Sequence, residues 1–303
     1  MRILISDQNF GDDARVERAL VEAAGAELIV ATCRSEDELA EALAEHRPDV
    51  LLVQFVPVGT RALEAANGLA GIVRYGVGLD NVDVSAARSA GVAIVPIPDY
   101  CIDEVADHTI ALLLAVERGI VDLAAQTRAG GWDFRAAGVV RRLRGGTLGL
   151  VGFGRIARAV AERASGFGLR VTAYDPNVLD AGAESLDALL EQADVLSLHV
   201  PLTEETRGLV GRRELALLPR GAIVLNTSRG GLVDEAALTE ALGAGRLRGA
   251  GLDVLAHEPP AADHPLRSAP GVVLTPHAAW FSDAAVLELR SKAVEKAMEL
   301  GRR

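Results

Sequence analysis

The chain has 303 residues, half of them apolar and only 4% aromatic, and a formal net charge of −11. That length suits two domains rather than one core, and the excess of Ala, Leu, Val and Gly favours helices packed on sheets over an aromatic-rich sandwich. The acidic balance, with Arg141-Arg142-Leu143-Arg144 as its densest basic stretch, speaks against a nucleic-acid partner, because phosphate binding draws on clustered positive charge.

The N-terminal segment Met1-Arg2-Ile3-Leu4-Ile5-Ser6-Asp7 reaches an acid too early for a signal peptide. No run approaches about 18 apolar residues, so no membrane partner is expected. Cys33 and Cys101 stand far apart and outside any metal-ligand spacing. They suggest two buried thiols in a reducing compartment, no metal, and a cytoplasmic protein.

Short, continuous apolar runs recur at 3–6, 27–32, 50–55, 71–75 and 93–97, with helical spacing over 14–24 and 36–46 between them. Continuous rather than alternating strands separated by helices predict a parallel sheet covered on both faces. After the fourth run comes Arg74-Tyr75-Gly76-Val77-Gly78-Leu79-Asp80-Asn81. Its close-set glycines could expose backbone N–H groups as an anion nest, or form a plain tight turn.

A single long helix is expected over 103–128, followed by a Gly- and Arg-rich stretch to 146. A second series of runs then covers 147–153, 170–175, 194–200, 222–227, 250–254 and 272–276, six strands of a dinucleotide-binding fold. A last helix over 283–303 is expected to return to the first domain. The fold class is therefore α/β, with two doubly wound parallel-sheet domains and a cleft between them. A flavodoxin-like domain over 1–98 plus 283–303 would bind substrate, and a Rossmann domain over 99–282 would bind the cofactor. The crossings near 97–100 and 280–283 would serve as hinges.

In Leu148-Gly149-Leu150-Val151-Gly152-Phe153-Gly154-Arg155-Ile156-Ala157, a strand runs through a glycine turn into a helix. Gly152 permits the turn, Gly154 lets a pyrophosphate approach the backbone, and small Ala157 allows close helix–strand packing. The phosphates would meet free N–H groups of the helix that starts near Arg155. Arg155 itself is either a pyrophosphate contact or a surface side chain. Asp175 ends the next strand, 23 residues after Gly152, where a carboxylate can accept from ribose hydroxyls and repel a 2′-phosphate. NAD is the cofactor expected.

Three polar side chains follow three consecutive strands: Arg229 after Asn226-Thr227-Ser228, Glu258 beyond Leu252-Asp253-Val254, and His277 after Thr275-Pro276. A guanidinium can hold a carboxylate and polarise a carbonyl, an imidazole can move a proton, and a carboxylate can orient that imidazole. The set suits hydride transfer on a 2-keto or 2-hydroxy acid. Arg229 could instead pair with Asp234 or Glu235, and a lone histidine is ordinarily structural. Asp253 could accept from the nicotinamide carboxamide or simply cap the following turn. His199, in Leu198-His199-Val200-Pro201, could line the adenosine pocket or only pack there, while His46, His257 and His264 read as surface residues.

These stretches together resemble the D-isomer-specific 2-hydroxyacid dehydrogenase family over essentially the whole chain. The match runs through 74–83, 151–157 with Asp175, 199–203, 226–235, 251–259 and 275–280. The likeness implies Arg229, Glu258 and His277 as the catalytic trio. It implies Arg74, Val77 and Gly78 as substrate-carboxylate contacts, the last two through backbone N–H groups. It also implies that Ile156, Val200, Pro201, Thr227 and Ser228 join the residues around NAD. His277-Ala278-Ala279-Trp280-Phe281-Ser282 is closest to the C-terminal-binding-protein branch, in which a tryptophan lines the substrate pocket, so Trp280 is assigned there. Ala157 stands where glycine is commoner, and Leu255-Ala256 replace bulkier residues, which bears on substrate shape. The expected activity is that of an NAD-dependent D-2-hydroxyacid dehydrogenase. The alternatives are an NAD(H)-sensing protein of the corepressor type and a dehydrogenase of phosphoglycerate-like or phosphonate acids. The segment 132–144, with apolar and basic residues, is expected to pack across a two-fold axis in a homodimer.

Overall fold

Val50-Leu51-Leu52-Val53 carries no polar side chain and is buried along its whole length, as a strand covered on both faces must be. It lies at the centre of the first of two parallel sheets in a computed structural model that describes residues 1–178 and 181–302. Arg303, the last residue of the expected C-terminal helix, lies outside the described residues. The chain divides into two compact units, Met1–Cys101 with Phe281–Arg303, and Ile102–Trp280.

In the first unit, β1 (Arg2–Ile5), α1 (Arg15–Ala23), β2 (Glu27–Val30), α2 (Glu36–His46), β3 (Val50–Val53), α3 (Thr60–Ala65), β4 (Gly71–Arg74), α4 (Val84–Ser89) and β5 (Ala93–Pro96) alternate strictly. The strands line up as β2-β1-β3-β4-β5. Helix α2 starts where Ser35 Oγ accepts from Glu38 N, with three acids in its first turn to complement the helix dipole. The sheet is closed on one face by the chain's final helix, whose Leu289, Ala293, Val294, Ala297 and Leu300 are buried. Gly71 makes room for it: a β-carbon there would stand 2.7 Å from Leu300 Cδ1.

The second unit opens with α5 (Ile102–Arg118) and α6 (Ile120–Arg128), then β6 (Thr147–Val151), α7 (Arg155–Gly166), β7 (Arg170–Tyr174), α8 (Leu186–Leu190), β8 (Val195–Leu198), α9 (Arg212–Leu217), β9 (Ile223–Asn226), α10 (Glu235–Gly243), β10 (Gly249–Leu252) and β11 (Val272–Leu274). The final helix is α11 (Asp283–Leu300). The single helix expected over 103–128 is two helices, because Gly119 takes a left-handed φ of 58°. A β-carbon at Gly119 would lie 2.9 Å from Ala137 Cα, so the break also admits the following segment.

The six strands of this unit run β11-β10-β9-β8-β6-β7, all parallel. Beyond β7 the chain contributes an isolated bridge, Ala173 with Gly182, rather than a further strand. Chain order reverses at β6, which has β7 on one side and β8 on the other. The carboxyl ends of β6 and β8 therefore frame the crevice in which such sheets bind ligands. No helix among the described residues is long and apolar enough to cross a membrane.

Candidate active site

The expected glycine turn lies at that crevice. Gly152 has φ 87°, and a β-carbon on it would stand 2.7 Å from the His199 carbonyl oxygen and 2.8 Å from Val200 Cγ1. Only glycine lets the turn after β6 seat against the end of β8. Gly154 caps α7 with extended backbone, has no side chain to satisfy the first N–H groups, and has nothing within 4 Å of the place its β-carbon would take. The N-terminus of a twelve-residue helix is thus left open, and Ala157, fully buried, holds it close to the sheet. Asp175 accepts from Phe153 N at 2.9 Å and from Asn177 N at 2.9 Å, which seats its carboxylate on the same turn. These features fit a dinucleotide: a helix N-terminus with no side-chain cap behind a glycine turn, with a carboxylate beside it. His199 Nε2 is 2.9 Å from Ser197 Oγ, while its Nδ1 is buried without a hydrogen-bond partner among the described residues. Burial pushes its pKa down to about 4, so the ring is neutral at physiological pH.

Arg229 follows β9 on a loop folded by the buried Asn226, which donates to the Arg229 carbonyl at 2.8 Å and accepts from Ser228 N at 3.0 Å. Ser228 Oγ donates to Leu198 O, and Thr227 Oγ1 lies 2.9 Å from Thr109 Oγ1 of α5. Arg229 Nη1 donates to Ser228 O at 2.7 Å. The two acids weighed as its partners have structural work of their own: Asp234 caps α10, and Glu235 accepts from Ala256 N and pairs with His264. His264 is half-buried rather than a surface residue, a correction that follows from its contact with Glu235, Nε2 to Oε2 at 3.2 Å.

His277 stands at the end of β11 with a left-handed φ of 53°, uncommon for a residue with a β-carbon. Its conformation is over-determined. His277 N donates to Asp253 O at 2.8 Å and to Thr275 O at 3.1 Å, and its carbonyl accepts from Trp280 Nε1 at 3.0 Å. The Asp253 side chain, 1% exposed, accepts from Thr275 Oγ1, Ala278 N and Ala279 N at 2.5, 2.9 and 2.8 Å. His108 of α5 lies 2.8 Å from Thr275 Oγ1 and 3.6 Å from Asp253. Of the two roles weighed for Asp253, capping the turn is the one its hydrogen bonds display.

With the backbone so held, His277 Nδ1 meets Glu258 Oε2 at 2.7 Å, while the two side chains are 40% and 34% exposed. An ionised carboxylate only accepts, so Nδ1 carries the proton and Nε2 is the nitrogen left for chemistry. Burial raises the Glu258 pKa. The His277 hydrogen bond, the Leu255 N–H and the charges of His277 and Arg229 outweigh it and hold the carboxyl below its ordinary value. Arg229, Glu258 and His277 are thus brought into one electrostatic neighbourhood.

In the first unit, Arg74 Nη1 donates to Tyr75 O at 2.8 Å over Gly76, which has φ 132°. Val77 is 43% exposed and Gly78 half-buried on the same turn. His108 and Thr109 of α5, to which the sequence assigns no role, join Asn226 in shaping the site. Only for His108 was there a signal, a polar ring among the apolar positions of a helix.

Comparison with known proteins fits this geometry. The profile of the D-isomer-specific 2-hydroxyacid dehydrogenase NAD-binding domain matches residues 110–279. The chain is 40% identical over 287 residues to D-3-phosphoglycerate dehydrogenase of Methanocaldococcus jannaschii, covering 91% of this chain and 53% of that protein. It is 37% identical over 254 residues to glycerate dehydrogenase of Methylorubrum extorquens, covering 82% and 81%. The crystal structure of the TT0316 protein from Thermus thermophilus superposes with a TM-score of 0.89 at 39% identity, covering 99% and 96% of the two chains. The chain spans about half the length of the phosphoglycerate dehydrogenase it resembles.

Proposed function

The chain belongs to the D-isomer-specific 2-hydroxyacid dehydrogenase family and carries its NAD-binding domain, and we propose that it interconverts a small 2-keto acid and the D-2-hydroxy acid with NAD(H). The observation that carries this reading is the Nδ1–Glu258 contact on a histidine held in left-handed backbone. Such a contact leaves Nε2 as the proton donor.

Gly152, Gly154, Arg155, Ile156, Asp175, His199, Val200, Pro201, Thr227 and Ser228 are the proposed NAD contacts, supported by the open α7 terminus. Bound NADH supplies the hydride for the keto carbon. In that direction protonated His277 gives its Nε2 proton to the carbonyl oxygen, and Glu258 stabilises the imidazolium. Arg229 grips the α-keto carboxylate group with its planar fork and draws electron density from the carbonyl. Arg74, Val77 and Gly78 are proposed carboxylate contacts, Trp280 borders the substrate, and Asp253 holds the His277 loop.

The decisive experiment is NADH oxidation with glyoxylate, hydroxypyruvate, pyruvate, phenylpyruvate and phosphonate-bearing keto acids, alongside NAD reduction with 3-phosphoglycerate. Turnover on one of the keto acids is expected, and silence on every substrate overturns the proposal. A phosphorylated hydroxy acid is the second reading, favoured by the 40% identity to a phosphoglycerate dehydrogenase. The 3-phosphoglycerate arm separates the two.

The proposal extends to a cytoplasmic homodimer. Both cysteines are free and buried. Trp132, Phe134 and Val139 are 91%, 84% and 73% exposed, a strongly apolar stretch to leave in water. A second copy of the chain is the proposed cover. Sedimentation should give a dimer, and Trp132→Asp should weaken it.

A further inference from the structure

The first unit contains a buried ionic cluster that the proposed chemistry does not use. Arg290 of α11 is 4% exposed and Glu17 of α1 is fully buried. Arg290 Nε donates to Glu17 Oε1 at 2.9 Å and Oε2 at 3.0 Å, and Nη2 donates to Glu17 Oε2 at 2.6 Å. The same guanidinium donates to both oxygens of Asp12 at 2.9 and 2.8 Å. Its face lies 5.0 Å from the centre of the Phe10 ring, which meets Tyr75 edge-on at 5.4 Å. Tyr75, 2% exposed, donates its hydroxyl to Glu17 Oε1 at 3.1 Å. Burial, with the charge of Glu17 beside it, pushes the phenol pKa well up, so the hydroxyl remains a donor.

Buried ion clusters are poor sources of stability, since apolar residues of the same volume commonly do as well. What a planar guanidinium with two carboxylates offers is a single geometry. Here that geometry ends on one side chain, Tyr75, between Arg74 and Gly76. The backbone around it is already tied: Tyr75 N donates to Val53 O, Arg74 Nη1 to Tyr75 O, and Ile97 N to Gly76 O. Tyr75 anchors the turn inward, and Arg290 and Glu17 decide where the anchor sits.

We infer that Arg290 and Glu17 are positioning residues that act through Tyr75 on the 74–78 turn, so that the C-terminal helix sets the geometry with which this turn receives a substrate carboxylate. The inference rests on the carboxylate-binding reading of Arg74, Val77 and Gly78.

The test uses the full-length protein. Tyr75→Phe deletes one hydroxyl and leaves the ion pairs intact, so it should fold. Arg290→Lys keeps the charge but loses the fork. KM for hydroxypyruvate, kcat, the Kd of oxalate (a carboxylate probe that needs no turnover), the Kd of NADH and Tm are measured for each. A displaced turn should raise KM and the oxalate Kd roughly tenfold, with kcat and NADH binding within about twofold, since small misplacements of a binding group are costly. A merely structural role would lower Tm and leave KM and the oxalate Kd unchanged, which overturns the inference. Arg74→Gln is the control on the underlying reading. If it leaves KM and oxalate binding unchanged, the carboxylate-binding reading fails. If it weakens both while Tyr75→Phe and Arg290→Lys do not, the positioning inference alone fails.

Discussion

Gly230 and Leu255 approach so closely that a β-carbon on Gly230 would stand 1.9 Å from the Leu255 carbonyl carbon and 2.2 Å from Ala256 N. This is backbone against backbone, with no flexible side chain to yield. It brings the loop of Arg229 against the segment that leads to Glu258. Gly230→Ala should force the two apart, cost about 1–3 kcal/mol of stability by overpacking, and lower kcat/KM by at least an order of magnitude. Thermal melts and steady-state kinetics on the same preparation check both effects. A variant with normal kcat/KM would show that the approach does not matter for the chemistry.

His277→Ala should lower kcat by roughly 10²–10⁴-fold through loss of the general acid, with the Kd of NADH unchanged. Arg229→Lys should also lower kcat/KM, because an ammonium cannot reproduce a two-pronged grip on a carboxylate. Fluorescence titration with NADH separates loss of chemistry from loss of cofactor.

Glu258 is held below its ordinary carboxyl pKa, so it is ionised at neutral pH and faces His277 as an anion. Keto-acid reduction passes a proton from the imidazolium, and the anion stabilises that cation and holds the ring by Nδ1. Glu258→Gln should therefore lower kcat by about tenfold or more, with the Kd of NADH unchanged. Stopped-flow rates and fluorescence titration check this, and an unchanged kcat rules out the pairing as a support for proton transfer.

Asp253 accepts from two backbone N–H groups and one hydroxyl. Asp253→Asn should turn part of that acceptor surface into a donor facing other donors, at about 1–3 kcal/mol. The His277 loop should loosen, with kcat falling more than the affinity for NADH. Melting temperature and single-turnover rates test this together.

His199 has its folded-state pKa pushed down to about 4 from an ordinary 6.5. A base buried neutral costs nothing above pH 6.5 and destabilises the fold progressively as pH falls from there towards 4, by at most about 3 kcal/mol. His199→Gln should flatten that part of the stability–pH curve. Urea unfolding at about pH 7 and pH 5 of both proteins, on either side of the ordinary histidine pKa, gives the difference.

The strand runs, the glycine turn with Asp175, and the three strand-end residues Arg229, Glu258 and His277 were legible in the sequence, because local apolar continuity and turn chemistry act over a few neighbouring residues. The alternation of β1 to β5 with helices follows from that directly. Gly119 was not read as a helix break, since a glycine in an apolar helical pattern is tolerated unless something must pass close by, and Ala137 is far along the chain. The partners of Asp253 and His264, the fit of Gly230 on Leu255, and the cluster of Arg290, Glu17 and Tyr75 depend on separations of 22 to 273 residues. Composition and periodicity carry no information about such pairings. They arise only when packing brings side chains together and excludes water between them. The chemical groups were therefore determined by the chain itself, and their orientation by the fold.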